Sequence, residues 1–291
     1  RDSTFVRYRI ERRGRPPLVG TVGLIDMDES TLYPHEGVMP SAVAARRADI
    51  ERAGAHLEPI ILAAITAVEV DDVDGVMLRN VDYDDESHQI IDVAGMSGRF
   101  KSKEYVILDG HHRIAATRQH CEITGERPWI LAMVVDTSAP GLFVEPQHRV
   151  LGGPPLEIEK LAVSQDVTAY DRGGPVPPGS VAIVSRAVSV LVSPTDAGRR
   201  GALGRISSVT LEDDLLPLLD LWVEGYATRE VDAYSELDAG ARAVAIMGDL
   251  TMTDVVDTAV DGFVLPEKTT CFNPKVAVGL VGVGLPIRDP G

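Results

Sequence analysis

Short apolar runs rich in Val and Ile alternate along the chain with stretches of helical spacing. Residues 19–25, 59–65, 105–108 and 130–135 are runs of this kind, and they predict buried strands. Between the first two, Val43, Ile50 and Leu57 recur at seven-residue spacing. That spacing predicts one face of a helix, with Ser41 as its cap. A second helix is expected from near His112 through Ile114, Ala115, Ala116 and Cys121 to Gly125, where glycine ends it. In the second half, Val181–Val184, 187–192, Ala243–Met247 and 276–283 predict strands. Residues 211–224 and 253–260 predict helices, the latter with Thr253 as cap and Gly262 past its end. Strands and helices in both halves imply an α+β or α/β protein.

Two stretches rich in proline and glycine interrupt this pattern. One is Gly152-Gly153-Pro154-Pro155, and the other spans 172–179. Such stretches favour turns and linkers. They suggest two domains, 1–153 and 154–291, in a chain of 291 residues that is long enough for both.

Composition narrows the function classes. No apolar run is long enough to span a bilayer. The basic stretch 1–15 lacks the apolar core and cleavage site of a secretion signal. Two cysteines, Cys121 and Cys271, make neither a disulfide framework nor a zinc site, so a reducing cytoplasm is the simplest setting. The net charge of −16 argues against nucleic acid as a partner, because such proteins usually carry a basic face. A single nucleotide needs only a few local cations or a metal ion, so it remains open.

The densest chemistry lies at Asp109-Gly110-His111-His112-Arg113. The run 105–108 should end at the Asp-Gly turn, with a helix following. The first N–H groups of a helix lack internal partners, and the dipole adds partial positive charge there, so an anion is welcome. Gly110 lets the backbone approach it. Arg113 offers a planar fork for phosphate oxygens, and His111 and His112 add donors. Asp109 could hold Mg²⁺ or accept a proton. The plainer alternative is that Asp109 caps the helix, Gly110 makes the turn and the histidines are buried and satisfied. The two histidines are adjacent and point apart, which argues against a shared metal.

Two further clusters accompany it. Pro34-His35-Glu36 places a carboxylate, Glu36, in a loop, where a catalytic base or a solvated charge would both be at home. Pro266-Glu267-Lys268-Thr269-Thr270 precedes Phe272-Asn273-Pro274-Lys275. Lys268 with two hydroxyls could bind a carboxylate or phosphate, or form an ordinary polar loop. His148 and Arg149, in Gln147-His148-Arg149, are candidates of the same type.

With these motifs in this order, the chain resembles the free serine kinases of the SerK type and their bacterial relatives, which share a ParB/sulfiredoxin-like fold. Leu57-Glu58-Pro59-Ile60 and the Gln147-His148-Arg149 segment add to the likeness. The resemblance implies a ParB/sulfiredoxin-like N-terminal domain and a second, mixed α/β C-terminal domain that contributes a substrate-binding loop, 266–275. It implies Glu36 as base toward the serine hydroxyl, Asp109 as a second catalytic residue, and Gly110, His111, His112 and Arg113 as phosphate ligands. It also implies Lys268, Thr269 and Thr270 at the amino-acid site, with Mg²⁺ and ATP or ADP as phosphate donor. The product would be O-phosphoserine. The related bacterial proteins usually carry a further N-terminal segment that is not found ahead of Arg1, and the first residue here is not Met, so whether a piece precedes Arg1 stays open. A ParB-like nucleotide switch without phosphoryl transfer is the main alternative, and the acidic balance counts against its DNA-binding form. A sulfiredoxin-like reductase would need a cysteine where this chain has His111.

Overall fold

The computed structural model describes all residues except 1–4, 67–74, 84, 94–99, 101, 164, 196–197, 199 and 288–291. Two compact units form, one of Arg1–Phe143 with Phe272–Gly291 and one of Val144–Cys271. The architecture is mixed, with several sheets and about 27% helix and 39% strand, in keeping with the α+β expectation. The boundary falls ahead of the expected 153/154, and the chain is cut twice. The reason is visible in the strand His148–Gly152, which pairs with Trp222–Ala227 and Ala243–Met247 and so cannot belong to the first unit.

The first unit is built on strands β1 (Val6–Arg12), β2 (Arg15–Asp26), β3 (Thr31–Tyr33), β4 (Ala55–His56), β5 (Ile60–Ala64), β6 (Val76–Tyr83), β7 (Glu86–Asp92), β8 (Glu104–Asp109) and β9 (Trp129–Asp136). Helix α1 (Pro40–Ala53) precedes β4, and α2 (His111–Thr124) follows β8. Among the described residues, all but β4 form one sheet in the order β3-β8-β5-β9-β2-β1-β7-β6. β5 is buried at every position because β8 and β9 flank it. Ile114 of α2 packs on the sheet with Ile25, Ile60, Leu62, Ile107 and Val134. Val43, Ile50 and Ala116 join α1 to α2. The expected strands at 19–25, 59–65, 105–108 and 130–135 all lie here. So do both expected helices, and Gly125 closes α2 as predicted.

The second unit carries β10 (His148–Gly152), β11 (Gln165–Ala169), β12 (Val181–Val184), β13 (Ser189–Pro194), β14 (Trp222–Ala227) and β15 (Ala243–Met247), with helices α3 (Glu230–Ala239) and α4 (Met252–Val260). The strands form an antiparallel sheet in the order β11-β13-β12-β15-β10-β14. Its two faces pack differently. Val181, Ile183 and Ala245 meet Leu211, Leu215 and Leu219, while Ala182, Val184 and Val244 meet Ala233 and Leu237 of α3. Both faces being covered explains the unbroken apolar run at 243–247.

Several expectations are corrected. Met39, not Ser41, precedes α1, and Leu57 lies beyond Gly54, the left-handed residue that ends the helix. Residues 211–224 are not one helix. Helical turns run from Ser207 to Leu219 with a wide π turn at Thr210–Leu215, Asp220 closes them in a left-handed conformation, and β14 follows. Pro217 has no N–H to donate, and a widened turn accommodates that loss. Thr251, not Thr253, caps α4 in a reciprocal capping box with Asp254. The strand expected at 187–192 is shifted to Ser189–Pro194. Residues 276–283 form turns: Ala277 N–H donates to the Tyr8 hydroxyl at 2.9 Å, Gly279 adopts φ 77°, and only Val283–Gly284 pairs, with β4. Of the basic N-terminal stretch, residues 1–4 lie outside the described residues, and Val6–Arg12 is a strand.

Candidate functional site

In the first unit the chemistry gathers where β8 passes into α2. The β5–β8 ladder slips by one residue there. Ile61 faces Asp109 and Leu62 faces Ile107, so Leu108 is the extra residue. A bulge of this kind re-aims the side chain beside it. Gly110 then turns the chain at φ 108°, and a Cβ there would run into Ile60. The first intrahelical bond is Ile114 N–H to Gly110 O at 2.9 Å. The N–H groups of His111, His112 and Arg113 precede it and point out of the helix start.

Asp109 is the strand's last residue and does not cap the helix. Its Oδ2 lies 2.9 Å from Arg113 Nη2 and its Oδ1 lies 3.3 Å from Lys275 Nζ. Burial pushes its carboxyl upward, but Lys275 and Arg113 outweigh burial and hold it below the ordinary carboxylate range. Asp109 is therefore an ionised group fixed by two cations.

Arg113 is only 14% exposed and both its Nη groups are engaged. Nη1 donates to Pro59 O at 3.0 Å and lies 3.1 Å from Glu58 Oε1, while Nη2 holds Asp109. The Arg113 guanidinium thus clamps the 58–59 turn to Asp109. Thr117 hydroxyl in turn donates to Arg113 O at 2.8 Å, fixing that turn of α2.

The two histidines each use one ring nitrogen within the protein. His35 N–H donates to His111 Nε2 at 3.4 Å, and Met39 N–H donates to His112 Nε2 at 3.1 Å. Each ring therefore accepts on Nε2, which leaves the proton on Nδ1. Together they staple the loop 35–39 to the start of α2. Burial, and then the neighbouring His35 ring, hold the His111 imidazole far below its usual range, so it is neutral. His35 is fully buried, packs edge-on against His111 with ring centroids 4.6 Å apart, and meets Phe272 at 5.5 Å. Its pKa is pushed down to about 4 by burial. Glu36 stands beside it, with Oε1 3.8 Å from His35 Nε2 and a side chain 19% exposed.

The sequence-predicted residues thus divide. Glu36, Asp109, Gly110, His111, His112 and Arg113 come together in the first unit. His148, Arg149, Lys268, Thr269 and Thr270 belong to the second. There Arg149 is fully buried. It donates to Gln147 O, to Lys268 O at 3.0 Å and to Glu267 O at 3.1 Å, pairs with Glu212 at 2.9 Å and lies over the Tyr226 ring. A side chain so enclosed shapes the 266–270 loop and offers nothing to a substrate. His148 Nδ1 accepts from Met247 N–H at 3.1 Å, and burial pushes its pKa down to about 4. The Thr269 hydroxyl is enclosed between Ser208 Oγ and Pro266 O, each at 2.7 Å. Lys268 sits in the left-handed region at φ 58° with its side chain exposed, and Thr270 is half-buried.

Three partners escaped the sequence reading: His35, Glu58 and Lys275. Each stands inside or directly after a motif singled out there, so proximity in sequence was their only signal. No group of three or more His, Cys, Asp or Glu that could hold a metal occurs among the described residues. Mg²⁺ often takes only one or two carboxylates and completes its shell with phosphates and water, so the single ionised Asp109 fits it. No helix among the described residues is long and apolar enough to cross a membrane.

Comparison with known proteins extends this picture. The family described as "Protein of unknown function (DUF1015)" matches residues 2–174. No curated protein matches the chain. Among solved structures, a conserved hypothetical protein from Pyrococcus furiosus is 17% identical with a TM-score of 0.51, covering 91% of this chain and 95% of its own. A mutant free serine kinase in complex with ADP is 16% identical with a TM-score of 0.53, covering 94% and 95%. A free serine kinase in complex with AMP has the same coverages and identity with a TM-score of 0.52. At these identities the likeness is one of fold.

Proposed function

The chain belongs to the DUF1015 family of proteins of unknown function, and from that premise we propose that it is a small-molecule kinase. It moves the terminal phosphoryl group of ATP or ADP onto the hydroxyl of free L-serine or an analogue. We assign the first unit as a ParB/sulfiredoxin-like nucleotide-binding domain and place the reaction in the cytoplasm. One observation carries the reading: Asp109 is held ionised at the start of α2, and His111 and His112 staple the Glu36 loop to that same start. The fold shared with free serine kinases in complex with AMP and ADP supports it.

The roles follow from phosphoryl-transfer chemistry. The N–H groups opening α2, with Gly110 allowing close approach, receive phosphate oxygens. The Nδ1–H groups of His111 and His112 remain as further donors. Arg113 acts through Asp109, which it orients. Asp109 would hold Mg²⁺, which supplies positive charge to the phosphate oxygens. Glu36 takes the proton as the serine oxygen bonds to the terminal phosphorus and the bond to the departing nucleotide breaks. Lys268 and Thr270 are our candidates for binding the amino acid's own charged groups.

The test is direct. The protein is incubated with Mg²⁺, ATP or ADP, and a pool of hydroxyl amino acids, and products are read by mass spectrometry. O-phosphoserine is expected. Glu36→Ala should lower turnover at least about 100-fold while nucleotide affinity changes little. Nucleotide binding without product from any donor would replace this reading with that of a ParB-like nucleotide switch.

A further inference from the structure

A cavity of about 590 Å³ lies wholly within the second unit, at the end of its sheet where β10 finishes and β14 and β15 begin. That is the opposite end of β10 from Arg149 and the loop it holds. The volume suits a small-molecule ligand. Gly152, Arg186, Trp222, Glu224 and Arg242 line it.

Its two arginines differ from most in the chain. In a protein with 44 acidic residues, Arg113, Arg127, Arg149, Arg200 and Arg205 all face carboxylates. Arg186 and Arg242 have no carboxylate partner among the described residues. Backbone carbonyls fix them instead. Arg186 Nη2 donates to Leu237 O at 3.1 Å and Asp238 O at 3.3 Å, at the end of α3. Arg242 Nε donates to Gly153 O at 2.9 Å. Each guanidinium is thus positioned but keeps donors free. Two such cations on one cavity form a site for an anion, most naturally one with several oxygens.

The rest of the lining narrows the ligand. Trp222 is 54% exposed, an unusual setting for so large an apolar ring, and it offers a flat face. Trp222 Nε1 donates to Glu224 Oε1 at 3.2 Å, which leaves the other carboxylate oxygen to accept from hydroxyls. A Cβ at Gly152 would press on the Glu224 and Trp222 side chains and displace them from this arrangement. An aromatic face, a hydroxyl-accepting carboxylate and two arginines match the base, ribose and phosphate of one ligand class. We propose that this cavity binds a nucleoside phosphate, separately from the α2 site. The binding is independent of phosphoryl transfer.

The protein carries only two tryptophans, and Trp129 is buried at 3% exposure, so Trp222 can report on the cavity. In Trp129→Phe protein, AMP should change Trp222 emission in a saturable way. Adenosine, which lacks the phosphate, should bind at least about tenfold more weakly, as should AMP to the Arg186→Ala/Arg242→Ala double variant. Calorimetry on the otherwise unaltered chain gives a second readout, needed if Trp129→Phe fails to fold. The double variant should lose one nucleotide per chain, from two to one if α2 also binds, or from one to none if it does not. An emission unchanged by AMP, an affinity equal for adenosine, or a stoichiometry that the double variant leaves intact would each overturn the proposal.

Discussion

At the start of α2, Glu58, Arg113, Asp109 and Lys275 form one continuous ion network. At the Gly152 end of the second unit's sheet, Arg186 and Arg242 donate to backbone carbonyls and have no carboxylate partner among the described residues. The first arrangement fixes the geometry of a carboxylate, whereas the second leaves positive charge available. An arginine next to a promising motif is therefore not evidence of a ligand contact. What decides is whether protein acceptors already fill its fork. Arg149 makes the same point within the second unit, because burial and four partners turn a candidate binder into a scaffold.

The largest effect should come from removing that scaffold. Arg149→Met leaves Glu212 and three carbonyls without their donor, and about 3–5 kcal/mol of stability should be lost. Arg113→Met removes a partly exposed clamp whose partner Asp109 keeps Lys275, so roughly 1–3 kcal/mol is expected. Arg186→Ala and Arg242→Ala should each cost less than either, since no carboxylate is stranded. Urea unfolding of the four variants checks the ranking. Equal losses for Arg149 and Arg186 would break the distinction between committed and available arginines.

Acid should separate the two units. His35 and His56 in the first unit and His148 in the second have pKa values pushed down to about 4, mainly by burial, and His111 is held lower still. A histidine depressed in the folded state binds its proton more readily when unfolded. Its stabilising effect is complete above the unfolded value near 6.5 and is lost as pH falls toward 4. Each such histidine adds a slope of about 1.4 kcal/mol per pH unit in that window. Three strongly depressed histidines in the first unit against one in the second predict that the first unit weakens more steeply. Trp129 reports the first unit and Trp222 the second, so variants retaining one tryptophan follow each separately. Coincident acid transitions would count against the unequal histidine load.

How much of this was legible in the sequence depended on whether the signal was local. Strands such as β5 and β9 are runs of buried apolar residues, and β8 with α2 reads directly from Tyr105 to Gly125. The turn at Asp109-Gly110 and the gathering of Glu36 near it were also anticipated from their motifs. What escaped was non-local. Nothing in Lys275's neighbourhood says that its chain segment returns to Asp109, nor that the acceptors of Arg113 lie at Glu58 and Pro59. The pairing of β10 with β14 and β15 moved the boundary for the same reason. Arg186 and Arg242 look like ordinary surface cations until the fold brings them to one cavity.

Helix caps give the smallest and most local contrast. Ser41 fitted the cap pattern by residue type, yet it lies inside α1, whose preceding residue Met39 offers no side-chain cap. Thr251 caps α4 through Asp254 N–H at 3.2 Å, and Asp254 Oδ2 accepts from Thr251 N–H at 3.1 Å. Asp254 also pairs with Arg205, which ties the cap to a neighbouring turn. Thr251→Ala should therefore cost about 1 kcal/mol, while Ser41→Ala should stay within about 0.5 kcal/mol of neutral. A shift in urea midpoint at constant slope measures both, read from Trp222 for Thr251 and from Trp129 for Ser41. If Ser41→Ala proves the costlier change, the start of α1 is capped in solution by the residue its sequence first suggested.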